Sequence, residues 1–311
     1  MFRLKLIPDR TSIAFMRWRT LAFSISGALM IGSVVLFLGM GLNRGIDFDG
    51  GILIEVGTKG PADLSRMRAT LGDLGLGEVT LQSFGSESDV LIRVQRQPGE
   101  EAAQQAAVDS IKAALDPVFE GVSYRRVEFV GPKVSGELVE AAALAVVTAV
   151  IAMLGYIWLR FEWHFSVGAV VALVHDILIT IGMFALTRFE FNLASVAALL
   201  TILGYSINDT VVVYDRIREN LRKYKQMPLG DLIDLSINET LSRTVMTGVT
   251  TLLALVALYI FGGEVIAGFA FAMIWGILIG TYSSIFVAAP ILITLGLKRG
   301  ADAGEEETAG A

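Results

Sequence analysis

The chain has 311 residues, of which 54% are hydrophobic and only 18% charged. A soluble domain carries about 25% charged residues, so at a mean hydropathy of +0.62 much of this chain must face lipid. The net charge of −6 argues against a nucleic-acid partner, the lack of cysteine excludes disulfides, thiolate nucleophiles and iron–sulfur clusters, and His164 and His175 lack zinc-site spacing.

In chain order, residues 1–20 form a basic cytoplasmic segment (Arg3, Lys5, Arg10, Arg17, Arg19) before a first apolar run at 21–42. That run is too long for a signal-peptide core and lacks an A-x-A site, so it is expected to stay as an anchor. Residues 43–137 read as a separate domain. A strand at 51–56 precedes a helix that opens at Pro61, a favoured first position, and runs to about 74. Alternating strands at 78–84 and 90–95 flank a turn at 85–89. An alanine-rich helix at 102–119 and a strand at 124–130 complete β-α-β-β-α-β, the ferredoxin-like arrangement.

Five more apolar runs follow within 138–297, at 138–159, 165–186, 191–214, 243–261 and 266–295, each near the ~20 residues a helix needs to cross a bilayer. Between the fourth and fifth, about 216–242 reads as a cytoplasmic amphipathic connection, with Leu229, Leu232, Ile233, Ile237 and Leu241 at near-helical spacing. Residues 298–311, with Glu305-Glu306-Glu307, read as a disordered cytoplasmic tail. The expected fold is a polytopic α-helical membrane protein with six spans and one small α+β domain. Arg160, Arg216, Arg218, Arg222, Lys223, Lys225, Lys298 and Arg299 fall on the side of the termini, against Arg188 in the opposite turns. This places both termini in the cytoplasm and 43–137 in the periplasm. No Gly-Lys dipeptide occurs, so no Walker A loop can form, and neither a cofactor nor a metal is expected.

Ionisable groups inside a span cost roughly 2.5–3.5 kcal/mol at the helix centre on insertion scales and mark function by default. The fourth run holds Gly204-Tyr205-Ser206-Ile207-Asn208-Asp209-Thr210. Tyr205, Ser206 and Asp209 share a helix face, so a hydroxyl cluster is expected to hold the carboxyl, and Asn208 and Thr210 are expected to avoid lipid. Arg243, at the start of the antiparallel fifth run, is available as a partner for Asp209; the alternative is an interfacial arginine that snorkels. His175-Asp176 forms a second intramembrane pair, readable as a proton stop or as a hydrogen-bonding lock between helices. Gly268, Ala272, Gly276, Gly280, Ser284 and Ala288 recur every fourth residue of the last run, a spacing that lets helices approach closely in lipid. This stripe reads as a sliding or partner-facing seam, or as packing within one bundle. An intramembrane aspartyl protease would need a Gly-x-Gly-Asp context that Asp176 lacks.

Five stretches in order resemble the SecD/SecF family of protein-export membrane subunits, on its SecF side. They are Gly45-Ile46-Asp47-Phe48-Asp49-Gly50-Gly51; Phe129-Val130-Gly131-Pro132-Lys133-Val134; Gly204 to Thr210, continuing to Asp215-Arg216-Ile217-Arg218-Glu219-Asn220; Ser242-Arg243-Thr244; and Gly280-Thr281-Tyr282-Ser283-Ser284. Asp49 departs from the threonine usual there. The resemblance implies six spans of the resistance–nodulation–division type in the bacterial inner membrane, a SecD partner, and association with the SecYEG channel and YajC. It also implies use of the proton gradient to pull exported unfolded polypeptides across, with Asp209 and Arg243 on the proton pathway and no enzymatic activity. A small-molecule exporter of the same superfamily and a structural scaffold of the channel are the other readings.

Overall fold

The computed structural model describes residue 8, residues 11–99 and residues 101–297. The basic residues Arg3, Lys5, Arg10, Lys298 and Arg299 and the acidic tail lie outside the described residues.

A 3₁₀ turn at Phe15–Trp18 leads into α1 (Arg19–Met40). Beyond it come β1 (Asn43–Arg44), the one-turn α2 (Ile46–Asp49), β2 (Gly51–Gly57), α3 (Leu64–Gly72), β3 (Val79–Phe84), β4 (Ser86–Val94), α4 (Glu101–Leu115) and β5 (Ser123–Val130). β2 to β5 form one antiparallel sheet in the order β3-β4-β2-β5. The central strand β2 is apolar almost throughout because both its faces are covered. Ile52, Ile54 and Val56 pack under α3 and α4 with Met67, Leu71, Val108, Ile111 and Leu115. Leu53 points the other way, to Ile46 of α2 and Leu91. α3 opens three residues later than expected: Asp63, not Pro61, caps it by accepting a hydrogen bond from the Arg66 N–H at 2.9 Å. A side chain that satisfies an orphan amide defines the start better than a fixed φ does.

The rest is helical: α5 (Pro132–Arg160), α6 (Trp163–Thr187), the two-residue β6 (Glu190–Phe191), α7 (Leu193–Lys223), α8 (Leu229–Phe261) and α9 (Glu264–Ser283). A π-helical turn (Ser284–Ala288) and α10 (Ala289–Thr294) follow α9. Among the described residues six helices are long and apolar enough to cross a membrane, and the protein is a multi-pass membrane protein. The amphipathic 216–242 connection is not a separate element. α7 runs on to Lys223, and α8 starts at Leu229 and continues into the fifth span without a break.

The six helices are similarly apolar but unequally buried. α6, α7 and α9 are mostly enclosed, whereas α1, α5 and α8 present most of their surface outward. Lipid-facing and protein-facing residues are equally apolar, so hydropathy does not separate the two classes. The buried ionisable residues do, since His175, Asp176 and Asp209 sit on the enclosed helices α6 and α7.

The sheet domain is stapled to the end of the bundle where α7 begins. β1 pairs in parallel with β6, Asn43 opposite Glu190 and Arg44 opposite Phe191. The Gly45 N–H donates to Phe191 O at 2.9 Å, and the Leu193 N–H, at the start of α7, donates to Asp47 Oδ2 at 2.9 Å. Arg93 of β4 forms an ion pair with Glu190, and Arg188 donates to Met40 O and Gly41 O, each at 3.0 Å. A Cβ at Gly45 would collide with the Glu190 carboxylate. One at Gly51 (φ +123°) would sit 2.7 Å from Val94 O. The glycines of this loop therefore answer to close approach and to backbone conformation.

Candidate functional site: a polar layer inside the helix bundle

α6, α7 and α9 meet around Asp176, which is fully buried. Its Oδ2 accepts hydrogen bonds from Ser206 Oγ at 2.6 Å and Ser283 Oγ at 2.8 Å. Its Oδ1 lies 2.9 Å from His175 Nδ1; a carboxylate only accepts, so the imidazole N–H donates. Three donors from three helices thus converge on one group. One turn further along, Thr210 and Ser284 share a hydrogen bond at 2.8 Å, and beyond that the Tyr214 hydroxyl donates to Ala288 O at 3.1 Å. Ser206, Thr210 and Tyr214 recur every fourth residue, so one stripe of α7 faces α6 and the end of α9. The π-helical turn lies opposite this stripe. Gly168 of α6 makes room for the Tyr214 ring, since a Cβ there would collide with its hydroxyl. His175 stacks on Tyr282 with centroids 6.0 Å apart. Tyr282 reaches α1, where it meets Ser26 Oγ at 3.0 Å and Ala22 O at 3.1 Å.

Asp209 stands apart from this network. It is 3% exposed, and its Oδ2 is buried without a hydrogen-bond partner among the described residues. The expected cluster of Tyr205 and Ser206 around Asp209 does not form: Ser206 is turned to Asp176. Arg243 is exposed on α8, and among the described residues no ion pair or hydrogen bond joins it to Asp209. Asn208 lies exposed on the outer surface of α7 rather than in the interior, whereas Thr210 is 2% exposed. His175 is buried on the Asp176 side as a direct partner.

The small-residue stripe divides. A Cβ at Gly276 would overlap Ile202 of α7, and one at Gly280 would come within 3.1 Å of Ser206 Cβ. Ala272, Ser284 and Ala288 are buried. Gly268 has open space around it, so the seam packs within this bundle at its α7 end only. Of the loop residues, Asp47 caps α7, while Phe48 is buried and its ring lies 5.8 Å from that of Phe191. Gly50 takes φ +70° with Val130 O 3.1 Å from its Cβ direction. Ser283 carries no expected role beyond its motif; the serine pair Ser283-Ser284 in an otherwise apolar span is the signal that points to it.

Two family models match. Residues 110–298 fit the model described as protein export membrane protein SecD/SecF, C-terminal, and residues 35–62 fit the SecD/SecF GG motif. The chain belongs to the SecD/SecF family. The protein translocase subunit SecF of Rhodobacter capsulatus is 51% identical, over 96% of this chain and 93% of its own length. That of Rickettsia akari is 48% identical, over 94% of each chain. A solved SecDF from Thermus thermophilus, titled a translocon-associated membrane protein, superposes with a TM-score of 0.82 at 33% identity over 96% of this chain. The chain spans 40% of that SecDF chain. This SecD/SecF family member is thus a translocase subunit of the membrane, and the loop at Gly45–Gly51 that clasps α7 lies within its GG motif.

Proposed function

We propose that the chain is the SecF subunit that, with SecD, uses the proton gradient to help move exported unfolded polypeptides through the SecYEG channel, in association with YajC. In this reading it lies in the bacterial inner membrane, with both termini cytoplasmic and the ferredoxin-like sheet domain in the periplasm. The cations of the short connections support that orientation. Asp209 is the group that takes up and releases the proton, and Arg243 is the charge it meets as α8 moves against α7.

The observation that carries the proposal is the contrast between the two aspartates. Asp176 has three donors, whereas Asp209, 3% exposed, has a buried Oδ2 with no partner among the described residues and lies on the helix next to the one that carries Arg243. An enclosed carboxyl without a partner is costly, and a change of protonation or of partner relieves that cost. Moving one charge through the membrane potential supplies about 2.3 kcal/mol per 100 mV, which is work available without ATP. Asp209→Asn keeps size and hydrogen-bonding capacity but cannot titrate. It is expected to assemble normally and to lose gradient-dependent stimulation of late-stage translocation into vesicles. Full stimulation in that variant would overturn the proton reading and favour a scaffold.

A further inference from the structure

The family motif 215–220 has a part that the proton reading does not use. Where α5 ends beside the end of α7 there is an open cleft of about 450 Å³, lined by Arg160, Asp215, Arg218, Glu219, Arg222 and Lys223. Both of its carboxylates are already matched. Asp215 accepts from Arg160 at 2.8 and 3.1 Å, and Glu219 pairs with Arg216, just outside the cleft, at 3.0 Å. Arg218 donates to Arg160 O at 3.2 Å and lies over the Phe161 ring at 5.3 Å, and Lys223 lies over the Tyr224 ring at 4.9 Å. None of these contacts neutralises a charge. Among the described residues no carboxylate lies within ion-pair distance of Arg218, Arg222 or Lys223. The dipole at the end of α7 offsets part of their repulsion, but it supplies no counter-ion for three cations on the last two turns of one helix.

The surroundings set the depth and the kind of ligand. Trp158 and Trp163 stand on either side of Arg160 in the chain, 72% and 54% exposed, and exposed tryptophans of a span mark the headgroup region. From the cleft the bare face of α5 runs into the apolar layer through Leu159, Ile151 and Leu144, which are 90%, 63% and 64% exposed. A ligand that satisfies both parts has an anionic head and an apolar tail. We propose that this cleft binds the phosphate of an anionic phospholipid from the adjacent leaflet, with Arg218, Arg222 and Lys223 on the phosphate and the acyl chains along α5. The proposal does not depend on the proton reading.

The test is native mass spectrometry of the full chain from mild detergent, with phosphatidylglycerol or phosphatidylcholine added at equal concentration. The wild type is expected to retain phosphatidylglycerol in preference to phosphatidylcholine. Removal of each cation is expected to weaken that retention about 5-fold, as for basic residues at an anionic membrane surface, so the triple change of Arg218, Arg222 and Lys223 to Gln abolishes the preference. Arg222→Gln alone alters an exposed side chain and is read if the triple variant does not fold. Equal retention of the two lipids by the wild type, or an undiminished preference in Arg222→Gln and the triple variant, overturns the site. Displacement of phosphatidylglycerol by the same concentration of soluble glycerol phosphate overturns the lipid assignment in favour of a free anion.

Discussion

Replacing Asp176 by alanine removes the acceptor for Ser206, Ser283 and His175 at once. Ser283 can turn its hydroxyl to Gly280 O, 3.1 Å away, but the Ser206 hydroxyl donates to no second acceptor among the described residues and the imidazole N–H faces the space that the carboxylate filled. Hydrogen bonds between spans are worth about 0.6–1.7 kcal/mol each, and a buried donor left unpaired costs about 1–3 kcal/mol. Asp176→Ala should therefore destabilise the bundle by about 2–4 kcal/mol. Asp176→Asn retains one carbonyl for the two serines and offers its amide to His175 in the other tautomer, whose Nε2–H is then buried without a partner among the described residues, so its loss should be about 1–2 kcal/mol. Unfolding of the detergent-solubilised protein measures both. If Asp176→Ala unfolds like the wild type, the three contacts do not hold the helices together. The asparagine variant also decides between lock and proton stop. A lock keeps gradient-dependent export in Asp176→Asn, and a stable variant without it would make Asp176 a proton carrier.

Gly276→Leu drives a side chain into Ile202 and should cost about 1–3 kcal/mol through overpacking; unchanged detergent stability would refute close packing there. Arg243→Ala should leave folding intact, since the side chain is exposed and makes no ion pair among the described residues, yet lower gradient-dependent translocation; full translocation would remove Arg243 from the pathway. Glu87→Cys and Gln226→Cys, both at exposed positions in a chain without cysteine, should be labelled from opposite sides of the membrane by an impermeant thiol reagent. Labelling of both from outside the cell would overturn the proposed orientation.

Hydropathy made the six spans legible, and the cost of burying charge singled out Asp176, Asp209 and Arg243. What periodicity could not show was which neighbour each face meets. The spacing of Ser206, Asp209 and Thr210 defines their relative angles on α7, but the rotation of the helix about its axis is set by packing. That rotation sends Ser206 and Thr210 to α6 and α9, leaves Asp209 outside their network and puts Asn208 on the surface. The continuity of α7 and α8 beyond the apolar runs was hidden because polar helical turns outside the bilayer carry no hydropathy signal. The π-helical turn shifts the repeat by a single residue, and the two-residue strands β1 and β6 are too short for any alternation to register.

Those two short strands have a mechanical consequence. Because β1 and β6 pair just before α7 begins, and Asp47 caps the first turn of that helix, the domain and the start of α7 are joined as one unit. The Asp176 layer holds α7 at Ser206, and from there to Leu193 the helix forms a lever about 20 Å long. A tilt of 5° about that fulcrum carries the clasp, and the sheet fixed to it through Arg93 and Glu190, by about 2 Å. The Gly45–Gly51 loop therefore acts as a rivet rather than a tether. Lengthening it would loosen the sheet domain on α7 while leaving every residue of the polar layer in place.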